Sequence, residues 1–122
     1  MAVIVPTITD VNGDGQVFKF TWALTTADHT GAPIGQKFAE FADRTIYFLG
    51  TWGGATAIWE GGDGSTYVPL ADPQGGAISK TADAIEVLLE IPEFSRPRLS
   101  AVGVGATVTA TAILRRGFRR SA

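Results

Sequence analysis

The sequence predicts an all-β chain, an antiparallel β-sandwich or jelly-roll-like single domain of about seven to eight short strands. Three observations carry this. Apolar residues recur at every second position in stretch after stretch, the period of a half-buried strand rather than of a helix. Fifteen glycines punctuate those stretches. And 122 residues, 45% of them apolar and 18% charged, suffice for one core without staples but not for two. The domain is therefore residues 1–122, with an apolar N-terminal arm over 1–16 and a basic C-terminal tail over 115–122.

The elements follow in order. The arm opens apolar, contains Pro6, and closes on Asp10-Val11-Asn12-Gly13-Asp14-Gly15, ordinary turn chemistry. Val17 to Leu24 places Phe18, Phe20, Trp22 and Leu24 on one face and Lys19, Thr21 and Ala23 on the other. Residues 26–43 form a long connection with a helical turn expected over Ala39 to Ala42, and long loops of small domains often bind. Thr45 to Thr51 is rich in β-formers. Gly53-Gly54 then predicts a tight hairpin, since paired glycines take positive φ without steric cost. Ala55 to Glu60 returns, Gly61 to Ser65 turns again, and Thr66 to Leu70 completes a three-stranded meander over 45–70. Thr81 to Pro92 reads as a strand, because its β-branched content and the stop at Pro92 outweigh a short helical pattern. Its alternation puts Ile85, Val87, Leu89 and Ile91 opposite a solvated face bearing Glu86 and Glu90. A weaker strand over Arg98 to Val104, a turn at Gly103 to Gly105 and a final strand over Ala106 to Arg115 end the chain. In the last, Thr107, Thr109 and Thr111 oppose Val108, Ala110 and Ala112.

Composition narrows the chemistry. Without cysteine there is no disulfide, thiolate nucleophile or cysteine metal site, and His29 alone cannot build a histidine relay or a two-histidine site. The apolar runs are too short to span a bilayer, and the N-terminus lacks the basic start of a secretory signal, so a soluble chain made in a cytosol is expected. The Asp10-Asn12-Asp14-Gly15 spacing matches the opening of a calcium loop, but the closing glutamate position holds Thr21, so no metal is expected. Glu86 and Glu90 share a strand face without a cleft, the serines form no nucleophile elbow, and no glycine run carries a phosphate-loop lysine. Neither catalysis nor a cofactor is expected.

Charge is divided unevenly. Residues 1–114 carry −6, whereas the tail from Arg115 onward carries +4 through Arg115, Arg116, Arg119 and Arg120. Clustered arginine suits phosphate, but the body, with a sequence pI near 5.2, lacks the broad basic face of a nucleic-acid binder. The tail reads either as a frayed end kept in solution by its charges or as a contact for a protein partner, where acid on a neighbouring subunit would pair it. Of the aromatics Trp22, Trp52, Trp59, Tyr47 and Tyr67, Trp22 belongs to an apolar row, while Trp52 beside a turn and Trp59 beside Glu60 are open to exposure. Candidate interface residues are thus Val3, Ile4 and Val5 of the arm, Trp52 and Trp59, and the four tail arginines.

Thr51-Trp52-Gly53-Gly54-Ala55-Thr56 between strands, followed by Glu60-Gly61-Gly62-Asp63-Gly64-Ser65 and Tyr67-Val68-Pro69-Leu70, resembles small virion proteins of tailed bacteriophages. So do Ile91-Pro92-Glu93-Phe94-Ser95-Arg96-Pro97-Arg98, the glycine turn and the threonine strand from Thr107 to Arg115. The resemblance covers roughly residues 12–116 and is strongest in look to head decoration (cement) proteins. It implies a non-enzymatic β-sandwich that clamps the capsid exterior, with the major capsid protein as partner. It also implies a homo-oligomer, a trimer favoured, located on the virion after synthesis in the bacterial host cytoplasm, with no membrane contact. The alternative role is a receptor- or carbohydrate-binding module of a tail or fibre, for which exposed aromatics would serve as a stacking platform.

Overall fold

The computed structural model describes residues 3–100 and 104–116. Its strands in chain order are β1 (Val3–Ile4), β2 (Thr7–Asp10), β3 (Val17–Thr25), β4 (Thr30–Gly31), β5 (Asp43–Thr51) and β6 (Thr56–Gly62). There follow β7 (Tyr67–Pro69), β8 (Ser79–Lys80), β9 (Ala84–Leu88), β10 (Phe94–Ser100) and β11 (Thr107–Arg115). They form two sheets packed as a sandwich, as the alternation predicts. One runs β2-β3-β11-β5-β9; the other runs β1-β4-β10-β6-β7, with β8 also paired to β6.

The centre of the five-stranded sheet explains the size pattern of the core. On β11, Ala110 lies between Trp22 and Phe48, and Ala112 between Phe20 and Ile46. Small residues on the middle strand make room for large ones on either side, so the inner layer interdigitates. Across the sandwich Trp59 meets Trp22 edge-on at 5.4 Å between ring centroids, and Phe48 lies 6.0 Å from Trp59. β3 and β11 face as the sequence predicts, with Phe20, Trp22, Leu24, Val108, Ala110 and Ala112 buried.

Several expectations change. The three-stranded meander does not form: β5 pairs β11 along its whole length and β9 over Arg44–Phe48, while β6 pairs β10 in the other sheet. Gly53 and Gly54, both at positive φ (52° and 81°), therefore turn the chain across the sandwich rather than back alongside itself. Only the β6–β7 hairpin of the meander remains. The penultimate strand starts earlier than expected, at Phe94, and pairs with all of β6; it runs to Ser100, residues 101–103 lie outside the described residues, and Val104 is in a turn. Residues 26–43 are not a free loop: Ile34 and Phe41 are buried, β4 pairs β1 and β10, and the helical turn sits at Gln36–Phe38, ahead of its expected place. The buried Arg44 fastens this segment, donating from Nε to the Phe41 carbonyl (2.7 Å) and from Nη2 to the Phe38 carbonyl (2.9 Å). Desolvation lowers its pKa to about 10, so it stays a cation at neutral pH.

β9 is a strand, but its faces are exchanged. Register with β5 sets Ile85 opposite Tyr47 and Val87 opposite Thr45, on the outer side, while Leu88 is buried. Glu86 faces the rim of the sandwich instead of solvent and meets Lys80 of β8 at 2.6 Å, an ion pair that links the two sheets. An acid so placed has a cation within reach, which makes the reversed facing affordable.

Candidate interaction surface

Strand register assembles the outer face of the five-stranded sheet row by row. One row reads Thr7, Thr21, Thr111, Tyr47, Ile85; the next reads Thr9, Lys19, Ile113, Thr45, Val87; a third holds Ala23, Thr109 and Leu49. β-Branched and aromatic side chains favour an extended backbone and stand up from a pleated sheet, so this composition also makes the surface regular. Lys19 is the charge within these rows; Arg115 and Asp43 pair at one end, 3.3 Å apart. Lys19, Tyr47, Leu49, Thr111 and Ile113 line a shallow depression of about 220 Å³. Leu49 is 47% exposed, and at the free edge Ile85 and Val87 are 62% and 44% exposed. Together these aliphatic groups make an exposed apolar patch on neighbouring strands.

The residues singled out from sequence fall in several places. Val3 and Ile4 form β1, paired parallel to β4, so the arm is docked and its Ile4 carbonyl accepts from Ala32 N at 2.8 Å. Ile4 packs against the core; Val3 and Val5 remain exposed. Trp59 is not a surface residue. It is fully enclosed because it shares inward parity with Ala55 and Ala57 and fills the space between Trp22 and Phe48. Trp52 is half-buried, edge-on to Phe48, and its Nε1 donates to Asp83 Oδ1 at 2.8 Å. That bond, with one from Gly50 N, holds the Asp83 carboxyl below the usual carboxylate range. Arg115 also lies near Thr45 Oγ1, while Arg116 pairs with Glu40 and stacks over Phe41. These two tail arginines pair with acids of their own chain, Asp43 and Glu40. Arg119 and Arg120 lie outside the described residues.

The other candidates resolve locally. Both carboxylate oxygens of Asp10 accept backbone N–H groups, from Gly13 and Gly15 at 3.0 Å each, and Asp14 accepts from Gln16. This is a side-chain-closed turn. Glu86 is committed to Lys80, and Glu90 accepts from Ala71 N at 2.8 Å, so the two do not act as a pair. Tyr47 and Tyr67 lie on different sheets.

Sequence reasoning missed one constellation. Glu60, although on the outer side of β6, is only 3% exposed, because Arg96 and Arg98 of β10 cover it from 2.8 and 3.1 Å. Arg96 also stacks on Tyr67, 3.8 Å from the ring centroid. Its signal in the sequence is faint: an acid inside a strand, with two arginines at alternate positions on another. Against known proteins, no family model, no curated protein and no solved structure matches the chain.

Proposed function

We propose that the protein is a non-enzymatic structural component of a tailed-phage particle, which decorates and stabilises the capsid exterior and docks through the outer face of its five-stranded sheet. The observation that carries this reading is the threonine-rich, nearly uncharged surface around Tyr47, Leu49 and Ile113, continued by exposed Ile85 and Val87. The exposed aliphatic side chains of this face gain about 25 cal/mol for each Å² of apolar area that a protein partner covers. The resemblance of the turn-and-strand order to small virion proteins supports the identity of that partner as the major capsid protein.

Val3 and Val5 are also exposed apolar residues, Val3 on the edge strand β1 of the other sheet. Arg115 and Arg116 contribute less than their charge suggests, since partly exposed ion pairs are worth about 0–1 kcal/mol and these are already formed within the chain. The carboxylates that suit acid–base work are spent on structural contacts, which favours a binding role over catalysis. The aromatic residues are dispersed between core, rim and the two outer faces, which favours protein contact over a sugar-stacking platform.

Copy number tests the role. Particles purified from cells that carry the gene, separated on a gel and quantified against the major capsid protein, are expected to hold the chain at a stoichiometry comparable to capsid subunits. A handful of copies per particle would instead place it on a tail or fibre, and complete absence from particles would end the virion reading.

A further inference from the structure

We infer that β9 is a self-pairing edge: in solution it lies antiparallel against β9 of a second copy, with Val87 opposite the partner's Val87. The inference does not depend on the capsid reading. Among the described residues β9 pairs with β5 and with no other strand, so its far edge presents open backbone donors and acceptors. Such edges are normally guarded by proline, lysine or an inward charge. The segment Ala84–Leu88 contains neither proline nor lysine, and its inward charge, Glu86, is neutralised by Lys80 at 2.6 Å. The other edges differ: β1 is two residues long, β2 ends in Asp10, and β7 ends in Pro69.

The strand itself specifies what it accepts. An occupant must be extended, must carry aliphatic side chains on the outer face, and must keep acid away from Glu86. A second β9 meets all three conditions, and a two-fold axis satisfies both edges at once. Register follows from two constraints. Directly opposed residues share a face, so Ile85, Val87 and Leu89 oppose only alternate positions of the partner strand, and centring on Ile85 would set Val87 against the Asp83 carboxylate. Centring the pair on Glu86 sets two glutamates face to face, and centring it on Leu88 sets Glu86 against Glu90. Centring on Val87 opposes Ile85 to the partner's Leu89 and Glu86 to the partner's Leu88, with no acid facing acid. Ile85, Val87 and Leu89, which are 62%, 44% and 65% exposed, then form one aliphatic stripe across the seam, and the two five-stranded sheets become continuous. The pairing is two-fold, in place of the trimer that the resemblance implies.

The cysteine-free chain makes the register directly testable. Opposed residues in an antiparallel pair have Cα atoms about 4.5–5.5 Å apart, inside the roughly 4.4–6.8 Å that a disulfide spans. Under mild oxidation Val87→Cys should therefore become a covalent dimer. Ile85→Cys and Leu89→Cys should each stay monomeric alone, because four residues of strand separate equivalent positions by about 13 Å. Mixed together, these two variants should cross-link. Val68→Cys, an exposed position on the other sheet (60%), supplies the collisional background. The unmodified chain should sediment as a dimer, and Val87→Lys as a folded monomer. A chain that is monomeric at every soluble concentration, or a Val87→Cys yield no higher than that of Val68→Cys, overturns the inference. Efficient cross-linking of Ile85→Cys to itself overturns the register.

Discussion

Replacing Trp22 by alanine is expected to lower the unfolding free energy by about 3–5 kcal/mol, the usual cost of removing a large buried aromatic side chain. The ring is fully buried, stacked on Phe20 at 5.8 Å and edge-on to Trp59 at 5.4 Å, so it touches both sheets at once. Its Nε1 also donates to the Ala32 carbonyl at 2.9 Å, which ties the β4 segment to the core. Truncation leaves a cavity and an unpaired carbonyl together. Urea denaturation measures the loss, and an unchanged midpoint would contradict the packing. Phenylalanine at the two tryptophans separates the contributions. Trp59 Nε1 is buried without a hydrogen-bond partner among the described residues, so Trp59→Phe should cost less than Trp22→Phe.

Gly31→Ala should destabilise by about 1–3 kcal/mol although it adds a single methyl group, the range for overpacking a filled core. A Cβ at Gly31 would lie 2.6 Å from Trp22 Cδ1, 2.8 Å from Nε1 and 2.9 Å from Pro97 Cγ. The indole and the proline ring are rigid, and neither can turn aside. A double-mutant cycle identifies the cause: in a Trp22→Ala background the same Gly31→Ala change should cost markedly less, since the cavity accepts the methyl group. Equal costs in both backgrounds would move the clash elsewhere.

Much of the sandwich is legible in the chain because alternation is a local property. Phe18 to Leu24 and Val108 to Leu114 announce both their strands and their buried faces. Which strand lies beside which is not local. Gly53-Gly54 reads as a hairpin, yet β5 takes its partners from residues 107–115 and 84–88, a choice visible only once β11 is in place. β9 shows the same limit in its facing: four aliphatic residues alternating with acids suggest an apolar inner face, but the register with Tyr47 and Thr45 decides otherwise. The cost of turning Glu86 inward is met by Lys80, which comes from the other sheet.

The proposed contact surface is legible only in part. The N-terminal valines stand exposed, as their position in an apolar arm suggests. Trp59 carried the opposite signal all along, since it alternates in phase with Ala55 and Ala57, and all three are buried. The outer face of the five-stranded sheet is not legible in any one segment, because β2, β3, β5, β9 and β11 each contribute at most one residue to a row. Glu60 and its arginines were hidden for the same reason, the partners being 36 and 38 residues away.

Docking through that outer face is tested by a charge-balanced pair of substitutions. Leu49→Lys with Ile113→Glu leaves net charge unchanged and alters side chains that point away from the core. Mixed with undecorated particles and sedimented, the wild-type chain is expected to pellet to a saturating level. The double variant, with its melting temperature preserved, is expected to bind at least about tenfold more weakly, equivalent to ~1.4 kcal/mol. A folded double variant that saturates the particles at the wild-type concentration would contradict the account.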